Sequence, residues 1–144
     1  MVRLLDINVL IALFDPGHEH HDLAHDWFGD VRKEGWATCP LTENGFVRIM
    51  SHPSNPASLG LPREATKRLR QFRKSGQHVF WTDELSILEA PPFKLGGLTS
   101  GKFLTDIYLL GLAARNKGAL STFDERMLTQ CVRNGRDFLE VIPT

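Results

Sequence analysis

The feature that most constrains this fold is alternation: short apolar runs recur along the chain, and helix-length segments separate them. Residues 2–5, 36–39, 78–81, 119–122 and 138–142 are short and apolar enough to be buried strands. Residues 7–14 are apolar on nearly every side, as in a short buried helix. Residues 18–33 place Leu23, Ala24, Trp27, Phe28 and Val31 on one helical face. Asp15-Pro16-Gly17 divides these two helices, because Pro cannot continue a helix and Gly permits the turn.

Further along, Pro40 is expected to close the second strand, and Thr42 to cap a helix over 43–50. Residues 51–62, with Pro53, Pro56 and Pro62, read as a loop, and 63–74 as a basic helix. Residues 83–90 are expected to be helical, and the Gly- and Pro-rich stretch 91–102 to be the mobile segment. Thr105 is expected to cap a helix over 106–117, with Gly118 as its C-terminal glycine. Residues 123–131 read as a turn and short helix. The alternation predicts an α/β domain with a mostly parallel sheet and helices on both faces, in one domain spanning 1–144.

Charge excludes little. Lys plus Arg number 17 and Asp plus Glu number 17, so the formal net charge is zero. A strongly basic domain would advertise nucleic-acid binding. A neutral sum also describes an acidic cleft ringed by basic residues. Cys39 and Cys131 lack metal-ligand spacing and are expected to be free thiols of a reducing compartment. The apolar run at 9–14 is too short for export or membrane spanning, so a cytoplasmic protein without a membrane partner is expected.

In parallel α/β sheets, functional groups gather beyond the carboxyl ends of the strands. Four acids fall there. Asp6 ends the first strand, and Asp124 lies just past the fourth. Glu43 opens the helix after the second strand, and Asp106 opens the helix before the fourth. Clustered carboxylates raise one another's pKa unless a cation intervenes. Mg²⁺ or Mn²⁺, hard ions that prefer oxygen, suit such a set. One or two of them can position a phosphodiester, acidify water and neutralise the leaving oxygen. Each acid also has an ordinary role: Glu43 and Asp106 oppose helix dipoles, and Asp124 can cap a helix. Asp6, between Leu5 and Ile7, is harder to explain, since a buried carboxylate needs a partner. Asn8 and Thr122 are supporting candidates through their amide and hydroxyl, with local turn bonding as the alternative.

The motifs together resemble the PIN domain, and within it the VapC-like toxin ribonucleases of toxin–antitoxin systems. They are Leu4-Leu5-Asp6-Ile7-Asn8-Val9-Leu10, Leu41-Thr42-Glu43-Asn44-Gly45-Phe46 with Arg48, Thr105-Asp106-Ile107-Tyr108-Leu109, and Ser121-Thr122-Phe123-Asp124. The resemblance implies Mg²⁺- or Mn²⁺-dependent cleavage of RNA, a homodimer, and a cognate antitoxin whose tail occupies the cleft. It implies that Asp6, Glu43, Asp106 and Asp124 are the metal-binding and catalytic acids. Arg48 and Lys102 are candidates for RNA or antitoxin contact.

Two further features have competing readings. His18, His20, His21 and His25 cluster at one helix start, where a zinc site, an RNA or antitoxin contact and an ordinary surface turn all fit. Arg63, Lys67, Arg68, Arg70, Arg73 and Lys74 form either a solvated face or a phosphate-contacting one. Two other functions compete with the toxin ribonuclease. One is a haloacid-dehalogenase-like hydrolase with Asp6 as nucleophile, although Asn8-Val9-Leu10 departs from that pattern. The other is a non-catalytic PIN-like RNA-binding module.

Overall fold

A computed structural model describes residues 1–144. The strands are β1 (Arg3–Leu5), β2 (Trp36–Thr38), β3 (His78–Phe80), β4 (Ala119–Thr122) and β5 (Leu139–Val141). They form one sheet in the order β3-β2-β1-β4-β5, and every pairing is parallel. The helices are α1 (Ile7–Phe14), α2 (His21–Val31), α3 (Pro40–Met50), α4 (Pro62–Phe72) and α5 (Leu104–Arg115).

Side chains alternate across a strand, so neighbouring residues of β1 enter different cores. Leu4 packs with Ile107, Leu110 and Ala113 of α5. Leu5 packs with Val9 and Leu10 of α1, Phe28 of α2 and Phe46 of α3. The sheet is thus covered on both faces, as its continuous apolar strands require. From β1 the chain builds outward to β3 on one side, then returns to place β4 and β5 on the other. This reversal opens a crevice at the carboxyl ends of β1 and β4, where such sheets bind ligands.

Several expectations change in detail. Pro40 opens α3 rather than closing β2, because its fixed φ suits the first helical position. Cys39 takes the capping position instead of Thr42. The Thr42 hydroxyl turns back to accept the Cys39 N–H at 3.0 Å. Residues 83–90 are not helical. Leu85 is buried and Ile87 half-buried while Leu88 is exposed, a spacing that offers no helical stripe. Thr105 is exposed and lies inside α5, which begins at Leu104 after a 3₁₀ turn over Gly101–Phe103. That turn is capped by Ser100, whose Oγ accepts the Lys102 N–H at 3.2 Å.

The end of α5 also differs. Lys117, not Gly118, takes the left-handed conformation, with φ 55°. The Gly118 N–H donates to the Ala113 carbonyl at 2.9 Å and the Lys117 N–H to the Ala114 carbonyl at 3.1 Å, closing the helix in a Schellman motif. Gly118 is required for space, since a Cβ there would run into the Val2 carbonyl and the Trp81 ring. In residues 91–102, Phe93 is buried, stacks on Tyr108 and bridges Val132, which pins that end of the segment to α5. Both cysteines are buried free thiols. No helix is long and apolar enough to cross a membrane.

Candidate active site

Asp6 leaves β1 and serves as the N-cap of α1. It is only 5% exposed, and both carboxylate oxygens are held. Oδ1 accepts the Ile7 N–H at 2.8 Å, and Oδ2 accepts the Thr122 hydroxyl at 2.7 Å. Burial raises the Asp6 carboxyl above its ordinary pKa; these two hydrogen bonds oppose the rise, and the neighbouring Asp124 adds to it.

Thr122, fully buried at the end of β4, organises this corner. Its oxygen also accepts from Asn8 Nδ2 at 3.3 Å and from the Asp124 N–H at 3.1 Å. Asn8 therefore reaches Asp6 through Thr122 rather than directly. The Asp124 carboxylate accepts the Arg126 N–H at 2.8 Å, which closes the turn after β4.

Asp106 enters from the first turn of α5. Its carboxyl is pushed up to about 6, first by burial and then by the charges of Asp6 and Asp124. Neither Asp6 nor Asp106 is ion-paired with a Lys, Arg or His. The structure thus brings Asp6, Asp106 and Asp124 into one mutual field.

Glu43 has contacts of its own on the β2 side. It lies in the first turn of α3, where Oε2 accepts the Thr38 hydroxyl at 2.7 Å and meets Arg73 at 3.3 Å. It faces a hollow of about 170 Å³ shared with Asn44, Thr66, Arg70 and Arg73. Part of the basic helix therefore serves the Glu43 side of the molecule, while Arg63, Lys67, Arg68 and Lys74 are exposed. Arg48 is exposed beside His52 and Asn55, in a hollow that contains none of the four acids. Lys102 is exposed, with its ammonium over the Phe103 ring.

Thr38 escaped the sequence reading. The signal for it was a threonine closing a buried strand, as Thr122 does. His78 Nε2 lies 2.8 Å from Thr38 Oγ1. The single Thr38 hydroxyl proton goes to Glu43, so His78 is the donor in this contact. Burial, then the nearby Arg73 charge, lowers the His78 pKa to about 4.

The donor set is chemically suited to a hard divalent cation: carboxylate oxygens, partly buried, with Asp6 and Asp106 lacking a basic partner. No three acidic, histidine or cysteine side chains converge tightly enough to surround an ion. That spacing still fits Mg²⁺ or Mn²⁺. Mg²⁺ in particular is commonly held by one or two carboxylates and keeps several waters.

A parallel sheet in this order, with carboxylates gathered where it reverses, has the architecture of the PIN-like nucleases. No family model matches the chain. Curated relatives do. It is 38% identical to Ribonuclease VapC44 of Mycobacterium tuberculosis over 132 residues, 92% of each chain. It is 40% identical to Ribonuclease VapC39 of the same organism over 86% of this chain and 89% of that one. With Ribonuclease VapC38 it shares 36% identity over 98% of both. The chain belongs to the VapC ribonuclease family.

Proposed function

We propose that residues 1–144 act as one PIN-like domain that hydrolyses RNA phosphodiester bonds, as the toxin of a toxin–antitoxin pair. The observation that carries this reading is the trio Asp6, Asp106 and Asp124. Asp124 raises the proton affinity of Asp6 and Asp106, Asp6 adds to that of Asp106, and neither Asp6 nor Asp106 has a basic partner. Such a site is destabilised when fully ionised and alone. It is relieved by a cation that also attracts a phosphodiester.

Asp6, Asp106 and Asp124 would hold Mg²⁺ or Mn²⁺, with Glu43 contributing from the β2 side. When bound, the ion supplies Lewis acidity and neutralises charge that builds on phosphate oxygens. The remaining roles belong to the chain. Thr122 and the Ile7 N–H fix the orientation of Asp6. Asn8 locks Thr122. Thr38 and Arg73 set the Glu43 carboxylate, and Arg73 brings positive charge to the side of the cleft where an RNA backbone would run.

The aspartate-nucleophile alternative loses ground because the curated relatives are named ribonucleases. A non-catalytic module would have no use for two unpaired acids, Asp6 and Asp106, beside a third in one crevice. The family context supports a cytoplasmic toxin that works as a homodimer and is silenced by a cognate antitoxin.

Sequencing RNA ends after brief expression of wild type and Asp6→Asn tests this reading. New ends at defined positions with wild type and none with the variant are expected. Identical profiles from both proteins would overturn it. Co-purification of a small partner encoded with the toxin tests the antitoxin component.

A further inference from the structure

The histidine cluster divides into two pairs with different roles. His21 Nδ1 and His25 Nε2 lie 2.7 Å from the carbonyls of Ala12 and Leu13. A carbonyl only accepts, so these ring nitrogens are donors, and they satisfy carbonyls left free at the end of α1. That pair is occupied by the fold.

His18 and His20 make no such contact. They stand in the turn between α1 and α2 and line a cavity of about 550 Å³ that reaches Asn8 and Asp124. His18 Nδ1 accepts the His20 N–H at 3.0 Å. The neutral His18 ring therefore carries its proton on Nε2, a donor with no partner within the chain. The His20 ring lies 4.8 Å from the Phe123 ring, tilted by 32°, and Phe123 is the one hydrophobic residue of the lining. Arg126 completes that wall with Glu19 and Glu125; its Nε lies 3.5 Å from Asp124 Oδ1, and its exposed guanidinium keeps further N–H donors free.

A cavity that joins an aromatic surface to N–H donors, and opens on Asp124, has the recognition chemistry of a nucleotide. A ring face accepts a base of any identity, and the donors accept phosphate oxygens.

We propose that this cavity is a nucleotide subsite of the cleft: the base of the nucleotide beside the cleaved phosphate stacks on His20, and its phosphate meets His18 Nε2–H and Arg126. Its place beside the chemistry rests on the ribonuclease reading; its binding chemistry does not.

The test pairs kinetics with direct binding. His20→Ala removes the ring, whereas His20→Phe keeps a stacking face without nitrogens. With a short RNA substrate, His20→Ala is expected to raise KM about tenfold, the scale of one lost base–aromatic stack, and to change kcat far less. His20→Phe is expected to recover most of that loss. An unchanged KM in His20→Ala, or equal losses in both variants, would overturn the subsite.

Independently, adenosine 5′-monophosphate added to metal-free wild-type protein is expected to shift the His18, His20 and Phe123 resonances. Ribose 5-phosphate, which lacks the base, should bind about tenfold more weakly. Equal binding of the two, or no shift at those residues, would overturn base stacking there. Nucleotide binding at His20 without any RNA cleavage would sink the ribonuclease reading and leave the subsite standing. Cleavage with no effect at His20 would do the reverse.

Discussion

The Thr122 hydroxyl donates to Asp6 Oδ2 at 2.7 Å, joining the ends of β4 and β1 across 116 positions of sequence. The same oxygen receives Asn8 Nδ2 and the Asp124 N–H. One buried hydroxyl thus sets a carboxylate, its supporting amide and the turn that carries a second acid. Strand adjacency in a parallel sheet makes this possible: β1 and β4 run side by side, with Leu5 opposite Ser121.

Thr122→Val keeps the shape and deletes the hydroxyl. Asp6 then loses a charge-assisted hydrogen bond while remaining buried. The expected destabilisation is about 1.5–3 kcal/mol, with a parallel loss of RNA cleavage. Thr122→Ser, which restores the donor, should lie close to wild type. Denaturant unfolding of the three proteins reads the difference. Equal stability of Thr122→Val and wild type would remove Thr122 from this role.

Asp106 makes an opposite prediction. Its folded carboxyl sits at about 6, above its ordinary value of 3.8. The folded state therefore binds more protons than the unfolded state between those values, and stability falls as pH rises through that window. At pH 7 without metal, Asp106→Asn should be more stable than wild type by about 1–2 kcal/mol, allowing for solvent screening of a half-buried group. The gain should shrink as pH drops from 6 towards 4. Saturating Mg²⁺ should narrow it too, because wild type gains more from binding the ion. Thermal melts across pH, with and without Mg²⁺, measure both trends.

His78 contributes pH dependence of the other sign. Its folded pKa is lowered to about 4 from 6.5. The unfolded state then binds the extra proton, so stability falls as pH drops from 6.5 towards 4. His78→Gln removes the titrating ring and keeps a donor for Thr38. Its unfolding free energy should vary less over that interval than wild type, measured by denaturant titration at matched pH values. Parallel curves would contradict this.

Gly111 tests how residues 91–102 are held. In an open helix, Ala would be favoured over Gly by about 1 kcal/mol. Here an added Cβ would come within 2.5 Å of the Phe93 ring, which is buried. Gly111→Ala should therefore destabilise, by about 1–3 kcal/mol as overpacking does. Hydrogen exchange should show faster opening around Phe93. A stabilised variant would mean that Phe93 moves aside freely.

The fold was largely legible because its signals are local. Buried apolar runs marked the strands, and their alternation with helices dictated a parallel sheet. Helix boundaries read less well where two local rules compete. Pro40 satisfied both strand-end and helix-start chemistry, and the competition hid the capping role of Cys39. Gly118 looked like a C-cap, yet the left-handed residue is Lys117 and the glycine answers to Val2 and Trp81, which are distant in sequence.

The candidate site shows the same division. Strand-end placement put Asp6 and Asp124 in one crevice, and helix-start placement added Asp106. The same rule placed Glu43 at the carboxyl end of β2, but its contacts with Thr38 and Arg73 depend on where side chains of β2 and the end of α4 point. The separation of His18 and His20 from His21 and His25 was also invisible, because it depends on where the α1 carbonyls point.

If Asp6, Asp106 and Asp124 form a metal-dependent ribonuclease site, cleavage of a defined RNA by purified wild type, Asp6→Asn, Asp106→Asn and Asp124→Asn, with Mg²⁺ or Mn²⁺ and then with excess chelator, will show it. The expected result is cleavage by wild type with either ion, loss in chelator, recovery on re-adding the ion, and at least a hundredfold loss in folded variants, roughly the scale of a catalytic group removed. Full activity in chelator, or undiminished cleavage by Asp6→Asn and Asp106→Asn, would contradict it.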